Sequence, residues 1–338
     1  MSRGEDRAAP HASHDSHGEQ KSRRWQLVRR AFSWAFLILL PILLLLLARS
    51  IDWQEVLGAL REYHPSTLLL GLLVTAGGYS VFSSFDVLSR FHIGHPLPVR
   101  RVYPVAFVCN AFNLNLSTWV GGVAMRYRLY SRLGMSVADI TRLLSFSVVT
   151  NWFGYMLLGG LLFSSGVPHL PASWHTGHLG LRLIGVLLLA MCMGYLLACR
   201  FAQRRQWGWK GYRFTLPSLK VALLQAGLGM SNWAMMALLL YVLLPDRAQY
   251  HEVLAVLLVS AIAGVIAHIP AGLGVLEAVF IALLHTEIGQ GSLLAALIGY
   301  RVLYFLIPLL LACMVYLWLE RRARRLQKSR RNKAAKQG

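Results

Sequence analysis

Long apolar blocks set the first limit on what this chain can become. Stretches of about 20 residues with little or no charge begin near Ala31, Leu68, Leu143, Leu179, Leu219 and Leu293, and that length of helix spans the ~30 Å hydrocarbon core of a bilayer. Hydrophobic residues make up 56% of the chain and charged residues only 14%, gathered in blocks rather than at amphipathic spacing. The expected fold is therefore an all-α polytopic membrane protein. Two further blocks, from Val102 and from Val253, bring the apolar segments to eight, and both are interrupted by small residues.

The interruptions resemble each other. Thr118-Trp-Val-Gly-Gly-Val-Ala-Met-Arg126 and Ile269-Pro-Ala-Gly-Leu-Gly-Val-Leu-Glu277 lie 151 residues apart, so that Gly121 falls opposite Gly272 and Arg126 opposite Glu277. Each break is followed within five residues by a charge that lipid disfavours. Broken apolar segments at matching positions in two halves point to a transport pathway.

The net charge of +20 would suggest nucleic acid in a soluble chain, but no nucleic-acid module accompanies it, and no nucleic-acid partner is expected. Its cations crowd the flanks of the apolar blocks, above all Lys21 to Arg30, Arg200 to Arg213 and Arg321 to Arg331. Such flanks orient membrane helices and attract anionic headgroups.

Keeping the basic flanks cytoplasmic fixes a topology. The blocks from Ala31 and Leu68 cross and return to the basic stretch Arg90 to Arg101. A simple crossing by Val102 to Val120 would strand Arg126, Arg128, Arg132 and Arg142 outside, against the charge rule. A re-entrant hairpin that enters from the cytoplasm, breaks near Ser117 to Gly122 and returns leaves the last of these arginines inside. The same count makes Val253 to His285 a second hairpin, entering from the opposite face.

The expected architecture is thus an inverted repeat with six full spans plus two opposed re-entrant hairpins, its halves covering about 31–165 and 179–319. Block starts agree: Ala31 and Leu179, Leu68 and Leu219, Leu143 and Leu293 are offset by 148, 151 and 150 residues. Residues 1–24 read as a disordered cytoplasmic tail, 25–320 as a single transmembrane domain and 321–338 as a basic cytoplasmic tail. Asp52 to His64 reads as an interfacial helix.

Candidate site residues cluster at the breaks. Returning arms beginning near Gly122 and Gly274 would present free N–H groups suited to an anion such as a lipid phosphate. Two readings of Gly121, Gly122, Gly272 and Gly274 stand: a binding turn, or close helix packing. Glu277 has only apolar neighbours and needs a partner, for which Arg301 in the last block is the best candidate; the pair is structural glue or part of a polar path. Arg126 suits a phosphate, and Pro270 completes the second turn. Arg128 and Arg132 are expected to reach towards headgroups. Asp86 lies four residues before Arg90 and is either its local partner or a proton relay. Asn113 and Asn151 either join neighbouring helices or line the same path.

No G-x-S-x-G, H-E-x-x-H or P-loop is present, so neither an enzyme nor a cofactor is expected. Cys109, Cys192, Cys199 and Cys313 are scattered without metal-ligand spacing, and no disulfide or metal site is expected.

The stretch Asn113 to Gly134, together with Ala267-His-Ile-Pro-Ala-Gly-Leu-Gly-Val-Leu-Glu-Ala-Val-Phe280, resembles the lysylphosphatidylglycerol synthase transmembrane-region family. The family includes the membrane half of the multiple peptide resistance factor, which flips aminoacylated phosphatidylglycerol between leaflets. The resemblance implies a multi-pass protein of the bacterial inner membrane that translocates an anionic phospholipid, of the phosphatidylglycerol or cardiolipin class. It implies binding roles for Gly121, Gly122, Arg126, Pro270, Gly272, Gly274 and Glu277. Trp119 stands where Pro270 does in the second half, a departure from the commoner proline-containing form of the first motif. After Leu319 only a short basic tail remains, so aminoacyl transfer is not expected. The alternative function is a non-transporting membrane partner that scaffolds a phospholipid-synthesising enzyme.

Overall fold

A computed structural model describes residues 63–116, 118–167, 177–202, 206–209, 212–244, 249–267, 274–285 and 288–334, with the isolated residues Gln54, Gly58 and Arg61. The block from Ala31, the tail 1–24, Pro270 and Gly272 lie outside the described residues. Of the expected helix between 52 and 64, those three isolated residues are helical and exposed.

The described residues are overwhelmingly helical. In chain order they form α1 (Pro65–His92), α2 (Val99–Asn115), a π-helical turn (Thr118–Ala124), α3 (Met125–Arg132), α4 (Val137–Ser164) and α5 (Gly177–Phe201). A two-stranded antiparallel ribbon follows, β1 (Gln206–Trp209) and β2 (Tyr212–Thr215), in the stretch that reads by sequence as a basic loop. Then come α6 (Leu219–Leu243), α7 (Tyr250–Ala267), α8 (Val275–Leu284), α9 (Gln290–Tyr300), a second π-helical turn (Arg301–Leu306) and α10 (Ile307–Ala334).

Local chemistry sets the ends. Ser136 accepts the amide of Asp139 at 3.1 Å at the start of α4, and Ser218 accepts that of Val221 at 3.4 Å at the start of α6; both satisfy amides that lack a partner within the helix. α1 starts at Pro65, where a missing N–H costs nothing.

Six stretches are long and apolar enough to cross a membrane: Pro65–His92, Val137–Ser164, Leu179–Phe201, Leu219–Leu243, Tyr250–Ala267 and Gln290–Arg321. Five coincide with expected full spans. The sixth, Tyr250–Ala267, was expected as the first arm of a hairpin; its mean hydropathy of 2.0 over 18 residues meets the requirement by length and composition. Val275–Leu284, the other arm, is shorter and packs back against α7.

Packing is organised around α1 and α6, which lie against each other. Elements 151 residues apart make matching contacts. α1 packs on α2 as α6 packs on α7; α3 on α4 as α8 on α9; and α10 on α2 as α4 on α7. Helices α4 and α6 cross with no side chain between them, since a Cβ on Gly154 would stand 2.1 Å from the Gly229 carbonyl carbon. Small residues of this kind are how membrane helices approach closely in the absence of a hydrophobic drive.

Candidate functional site

The first broken segment folds back on the helix before it. After α2 the chain turns at Leu116, and the π-helical turn Thr118–Ala124 packs against the end of α2. Gly121 makes this possible: a Cβ there would sit 2.1 to 2.2 Å from the backbone of Phe112 and Asn113. Gly122 has the same relation to the Asn113 amide oxygen, 2.6 Å from where its Cβ would be. The break therefore precedes Thr118, and Gly121 and Gly122 lie inside a helical turn continuous with α3, rather than at a fresh helix start. Close approach is their role in this geometry.

Arg126 stands one turn further on, buried, and each of its three guanidinium nitrogens has a hydrogen-bond partner. Nε donates to Asp86 Oδ2 at 3.1 Å and Nη2 to Asp86 Oδ1 at 3.2 Å. Nη2 also donates to Asn110 Oδ1 at 2.7 Å, and Nη1 to the Gly122 carbonyl at 3.0 Å. Asp86, fully buried in α1, further accepts Tyr130 Oη–H at 2.9 Å and Ser147 Oγ–H at 2.8 Å. This shell meets most of what a buried ion pair needs, although the Asn110 Nδ2 amide within it is buried without a hydrogen-bond partner. It joins α1, α2, α3 and α4 at one point. Asp86 thus pairs with Arg126 and not, as the sequence reading allowed, with Arg90.

The second broken segment is more open. Gly274 adopts φ +79°, a left-handed conformation that costs glycine little, and α8 begins at the next residue. Glu277 lies in the first turn of α8, where the partial positive charge of the helix start favours a carboxylate. Arg301 is its partner: Nε donates to Oε1 at 2.5 Å and Nη2 to Oε2 at 3.0 Å. The two side chains remain 23% and 17% exposed. Arg301 opens the second π-helical turn and lies 5.8 Å from the Phe305 ring centroid.

The two ion pairs are separate clusters. Asn113 lies beside Gly122. Asn151 sits elsewhere, joining α4 to α6 by accepting Asn232 Nδ2–H at 3.4 Å and, through its carbonyl, Trp233 Nε1–H at 3.2 Å.

Sequence reasoning missed Glu320. Arg128 and Arg132, expected to extend towards headgroups, instead both engage the Glu320 carboxylate of α10, Arg128 at 3.5 Å. Arg128 is buried and lies 5.9 Å from the Tyr316 ring centroid. The available signal was that Glu320 is the only carboxylate after Glu287. Among the described residues no group of three or more His, Cys, Asp or Glu is placed to hold a metal ion.

Residues 31–312 match the family described as the lysylphosphatidylglycerol synthase TM region. The chain belongs to that family. Over 305 residues it is 48% identical to the inner membrane protein YbhN of Escherichia coli (strain K12), covering 90% of this chain and 96% of that protein. It is 31% identical over 287 residues to the uncharacterized protein slr0712 of Synechocystis sp., covering 82% and 88% respectively. This member of the lysylphosphatidylglycerol synthase TM-region family is thus a multi-pass membrane protein of a lipid-handling family, and both ion pairs fall within the matched residues.

Proposed function

We propose that the protein is an inner-membrane translocase for an anionic phospholipid of the phosphatidylglycerol or cardiolipin class. Both termini are cytoplasmic in this reading, and the two broken segments face each other from opposite leaflets. Family membership supports lipid as the cargo. The matching contacts of elements 151 residues apart support a repeat.

The observation that carries the proposal is the Glu277–Arg301 pair. It sits within apolar sequence, beside a helix start and a π-helical turn, yet part of it remains accessible. A phosphate offers Arg301 the same two-oxygen face as the Glu277 carboxylate. A headgroup arriving at this point exchanges with Glu277 on Arg301 while its acyl chains stay in lipid. Arg126, whose donors are committed to Asp86, Asn110 and Gly122, holds the first broken segment in shape instead of carrying the headgroup.

Reconstituted vesicles loaded with fluorescent phosphatidylglycerol test this directly. Leaflet exchange by the full chain should fall on Arg301→Ala and on Glu277→Ala. Wild-type exchange in both variants, each still eluting as a monodisperse species, sinks the assignment.

A further inference from the structure

The turn that carries Arg301 draws on two donors from outside its own helix. Pro308 stands two residues beyond the π-helical turn Arg301–Leu306, buried inside α10. A proline has no N–H to give the carbonyl four residues back, and its ring crowds that carbonyl; here the carbonyl is that of Tyr304. The helix is widened just before this point, where the Ile307 amide donates five residues back, to the Val302 carbonyl.

In hydrocarbon an unmet carbonyl is costly, so another group must supply the hydrogen bond. Tyr79 of α1, only 3% exposed, donates its hydroxyl to the Tyr304 carbonyl at 3.1 Å. The Tyr79 ring also lies 5.2 Å from that of Tyr304. Asn115, the last residue of α2, donates Nδ2 to the next carbonyl, that of Phe305, again at 3.1 Å. The same Nδ2 donates to the Ala111 carbonyl of its own helix at 2.9 Å, which fixes where the amide points.

The helices that supply these donors also build the buried cluster around Arg126. Tyr79 precedes Asp86 by seven residues on α1, two turns along the same face, and Asn115 follows Asn110 by five on α2. The two ion pairs, separate as clusters of side chains, are thus joined through α1 and α2 to the backbone that carries Arg301. A π turn acts as one inserted residue and rotates what precedes it by about 100° relative to an α-helix. Keeping the turn therefore decides which way Arg301 faces.

We propose that Tyr79 and Asn115 are positioning residues: by meeting the Tyr304 and Phe305 carbonyls they hold the π-helical turn and so aim Arg301 at Glu277. Their importance for lipid exchange rests on the reading of Arg301 as the headgroup contact.

Arg301→Cys and Val302→Cys are made separately in the full-length chain with its four native cysteines replaced by alanine. The ratio of their rates of modification by a water-soluble thiol reagent, in phosphatidylcholine nanodiscs, reports the rotation of the turn, because Arg301 is partly accessible and Val302 buried. Tyr79→Phe and Asn115→Ala should each lower that ratio about threefold and, with Arg301 in place, lower phosphatidylglycerol exchange about two- to tenfold, the worth of one hydrogen bond. Tyr155→Phe removes the same kind of bond elsewhere, from its hydroxyl to the Leu258 carbonyl at 3.0 Å, and should leave both readings unchanged. Beside Pro308→Ala, where residue 308 brings its own N–H, Tyr79→Phe should lower the ratio no further. A ratio that moves no more with Tyr79→Phe and Asn115→Ala than with Tyr155→Phe overturns the proposal, as does an undiminished effect of Tyr79→Phe beside Pro308→Ala. Exchange that survives Arg301→Ala instead sinks the translocation reading, and the thiol ratio still decides whether the turn is held in this way.

Discussion

Arg126 meets Asp86 edge-on, Nε to one carboxylate oxygen at 3.1 Å and Nη2 to the other at 3.2 Å, across 40 residues of sequence. Neither group has water to fall back on, since Asp86 is fully buried and Arg126 only 4% exposed. Removing one partner leaves a buried charge without compensation, at a cost of about 3–5 kcal/mol. Arg126→Ala and Asp86→Ala should each lower the thermal midpoint in detergent sharply. The double variant should be less unstable than the two single losses added together.

Glycine matters for different reasons in the two broken segments. Gly121→Ala drives a methyl into the Phe112 backbone, which has no rotamer by which to yield, so a loss of at least about 1–3 kcal/mol is expected. Gly274→Ala meets no atom within 4 Å, only an unfavourable φ of +79°, and should cost about 1–2 kcal/mol. Midpoints measured side by side should rank Gly121→Ala below Gly274→Ala; the reverse order would show that the first segment does not pack as described.

The accessible ion pair should respond in function more than in stability. Glu277→Gln keeps the shape of the side chain and removes its charge from Arg301. Losing a charge-assisted hydrogen bond is worth about 1.5–3 kcal/mol, so if the step uses this pair the exchange rate should change by roughly ten- to a hundredfold. The thermal midpoint should move less than for Asp86→Ala. A midpoint collapse with unchanged exchange would mark Glu277–Arg301 as glue.

Glu320 makes a further test. It engages buried Arg128 and exposed Arg132 together, so Glu320→Ala should destabilise more than Arg132→Ala, whose side chain is already 35% exposed. The single substitution at Arg132 should stay within about 1 kcal/mol of wild type, as exposed ion pairs do. Denaturant or thermal midpoints of the purified variants decide it.

Which features were legible from sequence follows from how locally each is determined. Glu277 and Arg301 stand alone in apolar runs, so each had few partners to choose from, and the structure brings them together. Asp86 had a cation one helical turn away in Arg90, and only the fold shows that Arg126 takes it instead. Glu320 abuts a basic tail and reads as part of it. The π-helical turns at Thr118 and Arg301 share no residue pattern with each other that would set them apart from α-helix in the sequence. The ribbon was readable: Gln206 to Thr215 alternates aromatic and other residues on either side of Lys210-Gly211, the period of a strand pair around a turn, although the cations of the same stretch equally fit a basic membrane flank.

The crossing of α4 and α6 at Gly154 and Gly229 acts as a register lock. Two backbones touch there without side chains between them, as small residues allow in membranes. Sliding is blocked, because a Cβ on Gly229 would already stand 2.4 Å from the Thr150 carbonyl oxygen, and any longitudinal shift brings a residue with a Cβ into that space. The contact fixes the register of the two helices, and the Gln225–Thr150 and Trp233–Asn151 hydrogen bonds beside it hold their angle.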